Sequence, residues 1–163
     1  MVKVVSEGSA DKYAGQNSTF ALYCYKSADL CDLLLEPWFI EGLHELRTET
    51  KKKNYARKCC LKMSPEDDNC PFILSNLTFA HFSHYLTMQK AAKGKGRGMA
   101  MSLSNATYEQ TQIALKHLFR MSKYKMEMSF LEELKQFLLG MKLGWKCRRH
   151  GGKFHPEWLN LAT

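Results

Sequence analysis

The stretch Ser104 to Lys123, SNATYEQTQIALKHLFRMSK, gives the clearest indication of the fold. Its apolar and small side chains recur at helical spacing along one stripe, which consists of Tyr108, Thr111, Ala114, Leu115, Leu118 and Ser122. Lys116, Arg120 and Lys123 follow one another at spacings of four and three on the other side. Ser104 or Asn105 can cap the first turn. The stretch therefore predicts a helix with an apolar face for a core and a basic face outside it.

Similar signals on both sides of this stretch predict further helices and no strand. Helices are expected from about Ser18, from Pro37 at a first turn, from Phe79, and from Ser129, whose Ser-x-x-Glu pattern suits a capping box. We expect an all-α fold, a small orthogonal bundle of four to six helices over residues 18–142. A flexible tail is expected at 1–17 and a basic tail at 143–163.

Three polar segments separate the predicted helices. The second helix should fade by Thr50, so Lys51, Lys52 and Lys53 are interpreted as cations that solvate its C-terminal end. Residues 64–69 are six consecutive turn formers and predict a loop. Residues 93–98 alternate glycines with cations and predict a flexible, positively charged loop.

The excess positive charge lies in the second half of the chain. The net charge is +8, but residues 1–84 hold 10 Lys/Arg against 11 Asp/Glu, and residues 85–163 hold 14 against 5. The two halves therefore carry −1 and +9. A concentrated positive field attracts a polyanion such as DNA by releasing its counterions, and it also attracts an anionic membrane surface.

Six cysteines and the absence of targeting signals indicate a reducing compartment. No signal peptide follows Met1 and no apolar run approaches the length of a membrane span, so an intracellular location with free thiols is expected. Cys59, Cys60, Cys70, His81 and His84 could in principle bind zinc, and Cys147 with His150 is a similar pair. Because the chain has no Cys-x-x-Cys motif, no metal or other cofactor is predicted.

Two segments carry a resemblance to a known family. The string Leu77 to Leu86, a basic gap with glycines, and then Ser104 to Arg120 with its Ala-Leu-x-x-Leu-Phe-Arg ending resemble the core-binding domain of tyrosine recombinases. The likeness is closest to the integrase-like proteins of eukaryotic mobile elements, and Phe130 to Lys142 suits that domain's closing helix. It covers residues 18–142 and is carried by helix-packing patterns.

The resemblance implies a SAM-like helical bundle that clamps one side of duplex DNA, and hence a nuclear location. It also implies a separate catalytic domain with a tyrosine nucleophile and phosphate-binding arginines. Neither a His-x-x-Arg pair nor a tyrosine follows Tyr124, so we expect a binding domain without catalytic activity.

Nine basic residues are the candidate DNA contacts. They are Lys93, Lys95, Arg97, Lys116, Arg120, Lys123, Lys146, Arg148 and Arg149. For Lys116, Arg120 and Lys123 a solvated helix face is the alternative, and for Lys93, Lys95 and Arg97 it is a disordered loop. For Lys146, Arg148 and Arg149 an unstructured tail is favoured. Core packing is expected for Tyr108 and Phe119, rather than stacking on bases.

Two functional hypotheses follow from different classes. The first is a duplex DNA-binding module of a tyrosine recombinase, with other recombinase subunits as further partners. The second is a helical protein-interaction module whose basic half contacts an acidic partner or a second copy. No nucleophile beside a base and no phosphate-binding loop points to an enzyme, and no small-molecule substrate or membrane partner is predicted.

Overall fold

The computed structural model describes residues 7–94 and 105–149, with side chains described over 8–89 and 109–140. Across these ranges the chain is all-helical, which confirms the predicted fold class. The elements are α1 (Glu7–Lys26), α2 (Ala28–Leu34), α3 (Pro37–His44), α4 (Glu49–Leu61), a 3-10 turn (Leu74–Asn76), α5 (Phe79–Gly94), α6 (Asn105–Met121) and α7 (Met128–Arg149). Seven α-helices lie in the described ranges, which exceeds the four to six expected.

The helices group into two compact units. The first unit comprises Met1–Leu77 and Gln110–Met126, and the second comprises Thr78–Glu109 and Glu127–Thr163. The division falls within α6, near its first turn.

Helix α1 is the centre of the first unit. The Asp11 carboxylate pairs with Arg57 at one end of α1, and the Lys26 ammonium lies 3.2 Å from the Glu49 carboxylate at the other. These two pairs show that α1 and α4 run antiparallel. Between them α1 buries its apolar side chains, which include Phe20, Ala21 and Cys24. The prediction of a flexible tail over residues 1–17 is therefore wrong from Glu7 onward.

A short bridge joins the start of α3 to the loop before the 3-10 turn. Leu35 and Phe72 form an isolated antiparallel bridge, flanked by hydrogen bonds from the Glu36 N–H to the Pro71 carbonyl (2.9 Å) and from the Ile73 N–H to the Leu34 carbonyl (2.7 Å). Both bridge residues are buried, and the Phe72 ring stacks on Phe20 at 5.4 Å. The bridge thus fixes two distant loops against α1.

The lysine triplet lies at the opposite end of a helix from the one predicted. Thr48 caps α4, and its hydroxyl accepts from the Lys51 N–H at 3.2 Å, so the triplet occupies the N-terminal turns of α4. The cations therefore face the unfavourable end of the helix dipole. The Lys52 Nζ lies 5.4 Å from the centre of the Tyr25 ring, and this cation–π attraction offsets part of the unfavourable interaction with the dipole. The predicted turn over residues 64–69 is confirmed, and Asp68 in it has a left-handed φ of 49°.

The second unit pairs α5 with α7. The Phe79 ring meets Phe130 and Phe137 edge-on, at 6.4 and 5.7 Å between ring centres. Helix α7 begins at Met128, one residue before the predicted capping-box serine, and the Leu131 N–H donates to the Glu127 carbonyl. It continues to Arg149, so the start of the predicted basic tail at 143 lies within a helix.

Candidate nucleic-acid interface

Helix α6 separates an apolar face from a basic one, as its sequence predicted. Thr111, Ala114, Leu115, Leu118 and Phe119 are all buried, and Leu118 is completely inaccessible. Phe119 therefore belongs to the core, as expected; the side chain of Tyr108 lies outside the described ones. On the other side Arg120 is exposed. The amphipathic pattern of residues 111–120 thus corresponds to a real division between core and surface.

Polar contacts with α1 fix the position of α6. The buried Asn17 side chain donates from Nδ2 to the Ala114 carbonyl at 3.2 Å. One turn earlier the Thr111 hydroxyl lies 3.4 Å from the Gln16 side-chain oxygen. A buried hydrogen bond to a mid-helix carbonyl favours one register over its neighbours, so the basic face has a defined orientation.

Lys116, Arg120 and Lys123 are the predicted contacts that the structure brings together. Lys116 is half-buried, and Arg120 and Lys123 are exposed; the first two lie in the last turns of α6, and Lys123 follows its end at Met121. None of them forms an ion pair within the ranges whose side chains are described. Without such a partner there, these cations are available for an anion.

The other six predicted contacts cannot be assigned to the same surface. Lys93 lies in the last turn of α5, which extends into the segment predicted as a loop. Lys146, Arg148 and Arg149 lie in α7, and nothing is described of these side chains. Lys95 and Arg97 lie outside the described residues. Lys93 and the three α7 residues belong to the second unit.

His117 lies between the core and the basic face. Its ring packs against Tyr13 of α1 at 5.0 Å, and its buried Nδ1 has no hydrogen-bond partner in the part of the chain that the structure describes. Burial lowers the pKa of His117 below the ordinary value of 6.5, and the positive charge of Arg120 lowers it further. The ring is therefore neutral at physiological pH, and the charge of this surface comes from Lys116, Arg120 and Lys123.

The five cysteines whose side chains are described are free thiols, each at least half-buried. Cys24 and Cys60 are buried, and Cys31, Cys59 and Cys70 are half-buried. Burial raises the pKa of Cys24 to about 12 and that of Cys70 to about 11. Among the side chains that the structure describes, no group of three or more Cys, His, Asp or Glu could hold a metal ion. None of the described helices is long and apolar enough to cross a membrane.

The sequence analysis missed a groove in the first unit. It has a volume of about 510 Å³, and its walls come from residues 36–38, 68–75 and 122–124. Two carboxylates (Glu36 and Asp68), two exposed aromatic rings (Trp38 and Tyr124) and Lys123 are among the residues that line it. No local pattern could have revealed this groove, because packing brings its three segments together.

Comparison with known proteins adds no relationship to this picture. No protein-family model matches the chain. No curated protein matches it, and no solved structure does. The likeness to recombinase core-binding domains therefore stays a prediction from the residues that carry it.

Proposed function

We propose that this chain binds duplex DNA through phosphate contacts made by the basic end of α6. The observation that carries the proposal is that Lys116, Arg120 and Lys123 all lie at one helix end and have no carboxylate partner among the described residues. The proposal includes the recombinase resemblance: the chain would act as a core-binding domain that clamps DNA in the nucleus without cutting it.

The charge and the anchoring of α6 both support this role. Residues 85–163 carry +9 in the sequence count, so the half of the chain that contains α6 adds a long-range attraction for a polyanion. The contacts of α6 with α1 hold its basic face on a rigid element rather than on a loop. A rigid row of cations contacts successive phosphates at a lower cost in side-chain entropy than a mobile segment does.

Phosphate binding by this face predicts a specific salt dependence. Each phosphate that a cation neutralises contributes about 0.9 to the slope of log affinity against log salt concentration. We therefore expect the combined change of Lys116, Arg120 and Lys123 to glutamine to lower that slope by about 2 to 3. Fluorescence anisotropy with a labelled duplex, titrated at several potassium chloride concentrations, measures it.

A matched control separates this face from net charge. Lys53, Lys58 and Lys62, at exposed positions of α4 and its C-cap, also have no ion-pair partner among the described residues. Changing these three to glutamine removes the same charge and should leave the slope within about 1 of the unmodified chain. Equal effects of the two triple changes would refute the assignment to α6.

A competitor tests whether the site recognises DNA or any acidic chain. The protein-interaction alternative predicts that polyglutamate of matched charge displaces the duplex as well as unlabelled duplex does. The proposal predicts that polyglutamate displaces it much less efficiently, because its charges do not follow the spacing of a duplex backbone.

A further inference from the structure

The groove of the first unit has features that the DNA proposal does not use. Three chain segments enclose it: the start of α3, the loop before the 3-10 turn, and the residues after α6. Backbone hydrogen bonds from the Glu36 N–H to the Pro71 carbonyl and from the Ile73 N–H to the Leu34 carbonyl hold the first two segments together. The Ser122 hydroxyl contacts the Tyr124 carbonyl and the Tyr124 N–H, both at 3.2 Å, which fixes the third. Hydrogen bonds therefore order the backbone of each segment that lines the groove.

Its polar lining is acidic although the chain is basic. Glu36 and Asp68 give two negative charges against the one positive charge of Lys123, so the lining carries a net −1 in a chain of net +8. Neither carboxylate has an ion pair or hydrogen-bond partner among the described side chains. Cys70 also lines the groove; burial raises its pKa, and the charges of Glu36 and Asp68 raise it further.

Two exposed aromatic rings complete the lining. Trp38 is 42% exposed and Tyr124 is 37% exposed, so each presents a large part of its ring to solvent. Each ring also contacts a second ring: Trp38 meets Phe39 edge-on at 5.9 Å, and Tyr124 packs on Phe119 at 6.1 Å between ring centres. An aromatic face attracts a cation, and among the common cations a planar guanidinium also stacks on the ring.

We propose that this groove is a docking site for an arginine-bearing peptide segment of a partner protein. The guanidinium would lie against Trp38 or Tyr124 and donate to the Glu36 and Asp68 carboxylates. Charge complementarity selects a cation, and free carboxylates beside exposed rings favour arginine, whose flat fork of donors matches carboxylate geometry. The volume of about 510 Å³ suits a side chain with a short length of backbone. This inference does not depend on DNA binding.

The test follows the Trp38 indole N–H signal in NMR spectra of the full chain. The chain has three tryptophans, so the Trp38→Phe variant assigns the signal. The probe is the capped peptide acetyl-Gly-Gly-Arg-Gly-Gly-amide. Its control replaces arginine by citrulline, which keeps the shape and removes the charge. We expect a saturable shift of the indole signal with the arginine peptide and no shift with the citrulline peptide.

Single substitutions locate the binding charges. Glu36→Gln and Asp68→Asn should each weaken binding about two- to fivefold, the range for an exposed ion pair. Asparagine tolerates the left-handed φ of residue 68, so the second change preserves the backbone. Asp67→Asn is the matched control, because Asp67 is exposed in the same turn but does not line the groove. Lys123→Gln should strengthen peptide binding, an effect that loss of folding cannot imitate.

Several results would overturn the proposal. Equal binding of the citrulline peptide would exclude recognition of a cation. Equal weakening by Asp67→Asn and Asp68→Asn would exclude the groove. A further probe replaces the arginine of the peptide by lysine, and binding of this lysine peptide or of spermine as tight as that of the arginine peptide would exclude a guanidinium site. A Trp38 shift on concentrating the chain alone would identify a second copy as the occupant instead.

Discussion

The substitution Leu118→Ala tests whether the buried face of α6 supports the first unit. Leu118 is 0% exposed, and alanine removes three carbon atoms from its side chain. At about 0.8 kcal/mol for each buried methylene, the lost transfer free energy is about 2.4 kcal/mol. The cavity left behind adds to this, and buried leucine-to-alanine changes reach about 3 to 5 kcal/mol in total. Leucine and alanine have similar helix propensities, so propensity offsets only a few tenths of a kcal/mol.

Ile113→Ala is the matched control on the same helix. Ile113 is 46% exposed, so truncation there removes about half as much buried surface and opens no enclosed cavity. Alanine also favours a helix more than isoleucine does, by a few tenths of a kcal/mol. We expect a loss of about 1 kcal/mol or less.

Urea unfolding followed by far-ultraviolet circular dichroism measures both free energies of unfolding. Similar dependence on urea concentration in the two variants would show that both unfold from comparably compact states. If the two losses differ by less than about 1 kcal/mol, the stripe from Thr111 to Phe119 is not the core face of α6. The orientation proposed for Lys116 and Arg120 would then have no structural basis.

Two further predictions concern titratable groups of the first unit. Because burial, and then Arg120, lowers the folded-state pKa of His117, its contribution to stability is present above pH 6.5, the unfolded-state value, and is lost as the pH falls below it. His117→Gln should flatten the fall in unfolding free energy between about pH 7 and pH 5, and an unchanged pH profile would refute this. Cys24, whose pKa burial raises to about 12 from 9.0, should hold about a thousandfold less thiolate than a free thiol. Mass spectrometry after brief iodoacetamide treatment should find Cys24 unmodified while the half-buried Cys31 reacts, and equal labelling in the folded chain would contradict the packing of α1.

The sequence was most informative where one periodic signal dominates. In α6 the apolar residues fall on a single stripe, and both its buried positions and its exposed Arg120 follow from that period alone. Helices α1 and α4 gave weaker signals for physical reasons. Alanine, glycine and polar residues fill the first turns of α1, and α4 buries little more than Ala56 and Cys60 among its lysines. Their helicity depends on packing against each other, which a local pattern does not record.

The groove shows a second limit of sequence reasoning. Glu36 had an ordinary place before Pro37, Asp68 was one of several acidic turn residues, and Tyr124 followed a helix end. Their common feature is position in space, set by the Leu35–Phe72 bridge and by the turn after α6. A site assembled from three segments becomes visible only when long-range packing is known.

Lys123 connects the two proposals and makes them separable. It extends the basic end of α6, and it also lines the groove with Glu36 and Asp68. Removing its charge should weaken attraction for phosphate and strengthen attraction for a guanidinium, because the same ammonium attracts the first ligand and repels the second. A general loss of folding would weaken the binding of both ligands. A nonspecific charge effect would appear equally when Lys53, Lys58 and Lys62 are changed to glutamine. If only the Lys123 change lowers the affinity for DNA and raises the affinity for the arginine peptide, an anion site and a cation site must meet at the end of α6.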